Sequence, residues 1–191
     1  MNRFLNRRPL SGLLLPILLL ASCEGPAMDA LLPKANTTDT VVSSSELVVN
    51  TTAASTAPAT FTGVFDPSTD ADVSKNLGDI KAVNIDHTTF GCSQVVGSGV
   101  TISGSWTLHL DADPATTTHA LGTVANASLD AAVRSGDGLA LDRSAVSTAD
   151  KNALEEAVLY GRKSHVSFTG TVSGPCQARL LVLVPAKLTV N

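Results

Sequence analysis

Aromatic side chains are scarce: the 191 residues include one Trp, one Tyr and five Phe. A surface that stacks on sugar rings or bases needs such side chains, so that kind of recognition is poorly supplied. Charge is thin too, with Asp, Glu, Lys and Arg making up 16% of the chain against about 25% in an average soluble protein. What charge there is leans acidic, at −4 overall. Nucleic acid is therefore not expected as a partner, because clustered Lys and Arg that neutralise phosphate carry most of that affinity. Gly-rich phosphate loops and the Gly-x-Ser-x-Gly nucleophile elbow are both missing. Residues 155 and 156 are the only glutamates beyond residue 60, and as helical neighbours they point apart, so paired-carboxylate glycosidase chemistry would have to use aspartates alone.

What is present begins with an address. Residues 1–22 carry Arg3, Arg7 and Arg8, then an apolar run from Leu13 to Leu20 broken by Pro16, then small residues. This is the three-part order of a secretory signal. Its core is about half of the ~20 apolar residues that a spanning helix needs, so cleavage is expected rather than retention. Losing the three arginines leaves 10 basic against 17 acidic side chains, a net charge of −7. The run ends in Leu20-Ala21-Ser22-Cys23, which resembles the lipobox of bacterial lipoproteins. That resemblance implies that Cys23 is lipidated through its sulfur, becomes the mature N-terminus and is usually acylated there as well. The partner it implies is a membrane, in the cell envelope, and Glu24 in place of an inner-membrane-retaining aspartate favours the outer membrane. Several acyl chains, at about 0.8 kcal/mol per buried methylene, anchor stably where one chain is marginal.

Residues 23–59 read as a tether. Between positions 35 and 60, 11 of 26 residues are Ser or Thr and none of the 26 is aromatic, a composition that struggles to bury enough surface to order itself. Val41-Val42 and Leu47-Val48-Val49 have strand character, and a strand at 40–50 could pair with the edge of the domain that follows.

Residues 60–191 predict a mainly β fold, an antiparallel β-sandwich-like domain with one packed α-helix at about 147–160. Apolar and polar side chains alternate from Val100 to Leu110, from His165 to Val172 and from Thr60 to Phe65, the period of a strand with one wet face. Gly63, Gly104 and Gly170 fall inside these runs and suggest bends or close backbone approach in a curved sheet. The last strand is apolar on both parities as far as Val184, as for a strand covered on two sides, and Pro185 then marks an edge or the end of pairing. Weaker strands are expected at 80–87 and 119–124. Ser147 with Asp150 forms a capping box, Gly161 a stop signal, and Ala153, Leu154, Ala157 and Val158 an apolar stripe between them.

Cys92 and Cys176 remain once Cys23 is spent on lipid. Both sit beside Gly or Pro in turn-like stretches, and outside the cytoplasm such a pair is read as a disulfide closing a loop of about 85 residues. No metal site and no cofactor are expected: His87, His109, His119 and His165 have no zinc spacing. Asp66, Asp70 and Asp72 are weak calcium candidates that lack the order of an EF-hand, and Asp111 and Asp113 belong to the same class of solvated acidic loop. Asp86, His87 and Thr88 invite a triad reading, but the parity of His87 with Val83 and Ile85 turns it inward as a core residue. Trp106 shares parity with Leu108 and Leu110 and is likewise placed in the core. The sequence thus predicts a lipid-anchored envelope protein without catalysis, whose β-rich domain is a binding or structural module for an envelope protein, an extracellular protein or a small amphiphile. The alternatives are a lipid or amphiphile carrier with an apolar cavity, and a hydrolase of unknown substrate.

Overall fold

A computed structural model describes residues 37–190. Nine strands form one antiparallel sheet: β1 (Thr37–Thr51), β2 (Ala59–Phe65), β3 (Ile80–Asn84), β4 (Thr89–Val96), β5 (Thr101–Leu110), β6 (His119–Ser128), β7 (Leu139–Ala140), β8 (Ser164–Val172) and β9 (Cys176–Val190). The three helices are α1 (Ala71–Asn76), α2 (Leu129–Arg134) and α3 (Thr148–Leu159), with a 3₁₀ turn at Pro67–Thr69. The mainly β, antiparallel architecture matches the expectation. Its layers come from one sheet rolled on itself, in the order β6-β5-β8-β2-β1-β9-β4-β7. Beyond β7, Leu141 donates to the Thr88 carbonyl while Asp142 and Thr123 exchange both backbone hydrogen bonds. The two ends of the strand order therefore meet, which removes most of the exposed edge.

β9 organises the sheet. Its whole length pairs with β1, from Thr37 opposite Val190 to Thr51 opposite Cys176. On its other side β4 covers residues 177–183 and β3 covers 187–190. Pro185 sits at the seam between them, inside the strand rather than at its end, where neither β3 nor β4 pairs. Burial along β9 alternates strictly, with even-numbered residues inside. Leu181 and Leu183 are thus half-covered outer residues, and the expected two-sided cover is corrected to one inner face.

The strand expected at 40–50 is present and longer than expected: residues 37–51 pair with β9 along their whole length, so the fold begins more than twenty residues before position 60. The inner face of β1 is Val41, Ser43, Ser45, Leu47 and Val49, all buried. Two serines in mid-strand interrupt the apolar period and make the segment look like linker.

The interior is filled by large side chains from opposite walls. Trp106 on β5 lies 4.9 Å from the Phe168 ring of β8 and 6.1 Å from Phe90 of β4, centroid to centroid, within the range at which aromatic pairs add to area burial. Phe61 stacks on Phe168 at 6.4 Å. The cross-strand pair Gly104 and Gly170 makes room for this group. A Cβ on Gly170 would collide with the Ser103 carbonyl and come within 2.6 Å of the Phe168 ring. The glycines in these runs are therefore sites of close approach. Gly170→Val should destabilise by at least about 1–3 kcal/mol through overpacking, whereas Gly136→Ala, with open space at its Cβ, should change stability by less than about 0.5 kcal/mol. Urea denaturation of both variants checks this pair of outcomes.

Candidate functional site

The helix α3 is assembled as its sequence dictates. Ser147 caps it by accepting from the Asp150 N–H at 3.2 Å, and Asp150 Oδ2 reaches back to the Ser147 N–H at 3.0 Å and hydroxyl at 2.6 Å. Ala153, Leu154, Ala157 and Val158 are buried. The chain leaves through Gly161 at φ +57°, with Arg162 donating to the Ala157 carbonyl, as a helix C-terminus requires.

The capping aspartate has a second task. Its Oδ1 faces His119 Nδ1 of β6 at 3.5 Å, while His119 Nε2 is hydrogen-bonded at 2.9 Å to Asp113 in the turn after β5. The three side chains are only 17–27% exposed. Partial burial works against a charged Asp150, but bonds from the hydroxyl and N–H of Ser147 and the N–H of Ala120, together with His119, outweigh it and hold the carboxyl below its usual range. Nearby, His109 Nδ1 is 2.7 Å from the Thr117 carbonyl, and His165 pairs with Asp111 at 3.4 Å on the surface. Three of the four histidines thus gather at one end of β5, β6 and β8, an arrangement that parity and spacing do not reveal. His87 is corrected: β3 stops at Asn84, the strand parity stops with it, and His87 is exposed. Its neighbour Asp86 is held below the carboxylate range, first by a hydrogen bond from Lys187 and then by one from Asn84.

The expected Cys92–Cys176 bond is also corrected, since both thiols are free and buried. Cys92 lies within β4 opposite Leu180, four residues along β9 from Cys176. At about 3.3 Å per residue that is some 13 Å, roughly twice the Cα separation that a disulfide spans. A bulge between Cys92 and Gln94 explains why this part of the strand resembles a turn. Asp66 and Asp70 cap the 3₁₀ turn and α1: Asp66 accepts from the N–H and hydroxyl of Ser68, and Asp70 from the N–H groups of Asp72 and Val73. Among the described residues no group of three His, Cys, Asp or Glu side chains has metal-binding geometry.

Two adjoining grooves flank α3 where it meets β3. One, of about 290 Å³, is lined by Val83, Asn152 and Glu156 among others, and the next, of about 410 Å³, by Leu77, Ile80 and Lys81; Leu159 and Tyr160 belong to both. β3 pairs only with β9, so one strand edge faces this region. Tyr160 is 59% exposed and carries the Arg162 guanidinium 4.8 Å above its ring. The lining brings apolar Val83, Ile80 and Leu159 together with the charged Lys81, Glu155 and Glu156. No helix among the described residues is long and apolar enough to cross a membrane. No family model, curated protein or solved structure matches the chain.

Burial pushes the Cys92 thiol above its ordinary range. In the native protein Cys92 should therefore alkylate at least tenfold more slowly at pH 8 than in denaturant, and both Cys92 and Cys176 should be recovered unbridged by peptide mapping without reductant. A Cys92–Cys176 peptide in the exported protein would contradict the register.

Proposed function

We propose that the protein is a lipid-anchored component of the bacterial cell envelope whose rolled sheet serves as a rigid binding module and not as an enzyme. The observation that supports this most is the use to which the polar side chains are put. Asp66, Asp70, Ser147 and Asp150 cap helical turns, His109 bonds a backbone carbonyl, and both nitrogens of His119 face carboxylates. A general base needs a free nitrogen or oxygen within reach of a substrate, and each of these groups already makes a hydrogen bond, although Nδ1 of His119 is not held by one. Among the concave surfaces, the α3–β3 groove has a mixed apolar and polar lining that suits a protein or peptide partner. Membrane attachment rests on the lipobox-like segment ending at Cys23, which lies outside the described residues.

Mass spectrometry of the mature protein tests the anchor: a diacyl- or triacyl-modified Cys23 is expected, and Cys23→Ala should leave an unlipidated protein that no longer partitions into detergent. An unmodified Cys23, or cleavage elsewhere, overturns it. For the binding face, peptide-display selection on the purified lipoprotein should enrich sequences that Tyr160→Glu releases at least tenfold faster. Selected peptides indifferent to changes at Tyr160, Leu159 and Val83 would place recognition on another surface.

A further inference from the structure

The Asp113–His119–Asp150 array joins three elements that are distant in sequence: the turn after β5, the strand β6 and the N-terminus of α3. Its two contacts are unequal. Nε2 hydrogen-bonds to Asp113 at 2.9 Å, whereas Nδ1 only faces Asp150 at 3.5 Å. A neutral imidazole donates from one nitrogen and presents a lone pair at the other, whereas an imidazolium donates from both. With Nε2–H committed to Asp113, the neutral ring turns a lone pair toward the Asp150 carboxylate. A proton taken from solvent converts that repulsion into a second charge-assisted bond.

We propose that His119 is a proton-operated clasp that fastens the N-terminus of α3 to β6 when it becomes charged and loosens it when neutral. Among the described residues no other charged group within ion-pair distance competes for the ring. On β5, His109 is held by Thr117, and in the following turn Asp111 is directed to His165. On α3, Lys151 is directed to Asn84 and Glu155, and beside β6 Asp142 binds Ser144. Asp150 suits the role because, despite its partial burial, bonds from Ser147 and Ala120 hold its carboxyl below the usual range and favour the ionised form. The sign follows from the contacts: a charged ring has a partner at each nitrogen and a neutral ring at one, so the clasp adds stability in acid and not in base. Because α3 also walls the groove beside β3, fastening its first turn steadies that wall, which extends the proposal beyond membrane attachment and binding as such.

Thermal melting of the full mature protein and of His119→Gln, at intervals from pH 5 to pH 8, tests the clasp. The glutamine keeps one donor and one acceptor but cannot take a charge. The difference in Tm, wild type minus variant, should be larger at pH 5.5 than at pH 8 by about 3 °C, and parallel curves would overturn the proposal. Should His119→Gln fail to fold, wild-type hydrogen exchange provides the second reading. After correction for intrinsic rates, amides in the first half of α3 should be severalfold better protected at pH 5.5 than at pH 8 relative to those of α1, and equal ratios at both pH values would overturn the clasp as well.

Discussion

The pairing of β1 with β9 is the constraint on which the rest of this structure depends. Fifteen residues of each strand run antiparallel without a shift in register, and β9 alone then carries β4 and β3 on its other side. Removing β1 would leave one hydrogen-bonding edge of β9 open along its whole length and would break the strand order between β2, with the β8-β5-β6 half of the sheet, and the β9-β4 half. A single-residue slip would turn Leu47 and Val49 outward if β1 moved, or Leu180, Val182 and Val184 if β9 moved. Alternation on both strands therefore enforces the register, and the register enforces the roll.

From that roll follows the division between structure and chemistry. The inside is occupied by Trp106, Phe90, Phe65 and Phe168, so a protein with few aromatics spends most of them on one core. The outside keeps Ser and Thr in cross-strand pairs, such as Thr60 with Thr169 and Thr62 with Ser167. The helix α3 and the turn after β5 cover one end of the sheet, and His109, His119 and His165 collect there.

Some of this was legible in the sequence for definite reasons. The helix from Ser147 to Gly161 carries its own start, stop and face, and the runs ending at Leu110 and Val172 carry a clean period of two. Trp106 was placed in the core by parity alone. Other features were hidden by local compromise. Ser43 and Ser45 stand in buried positions of β1 with hydroxyls that have no partner among the described residues, which erases the period of its most important stretch. Gly91 and the bulge after Cys92 make a strand read as a turn and so suggested a disulfide. At six residues each, α1 and α2 are too short to show a helical period. The His119 array brings together side chains up to 37 residues apart in sequence, and only the return of α3 onto β6 makes it.

Hydrogen exchange on the intact chain tests the place of β1 most directly. If β1 is the partner of β9, peptides covering residues 41–49 will exchange in the slowest class, with protection equal to that of residues 178–188 and lost in the same global unfolding event. Exchange of 41–49 within seconds while 178–188 stay protected would mean that this segment is a tether after all, and that β9 has another neighbour.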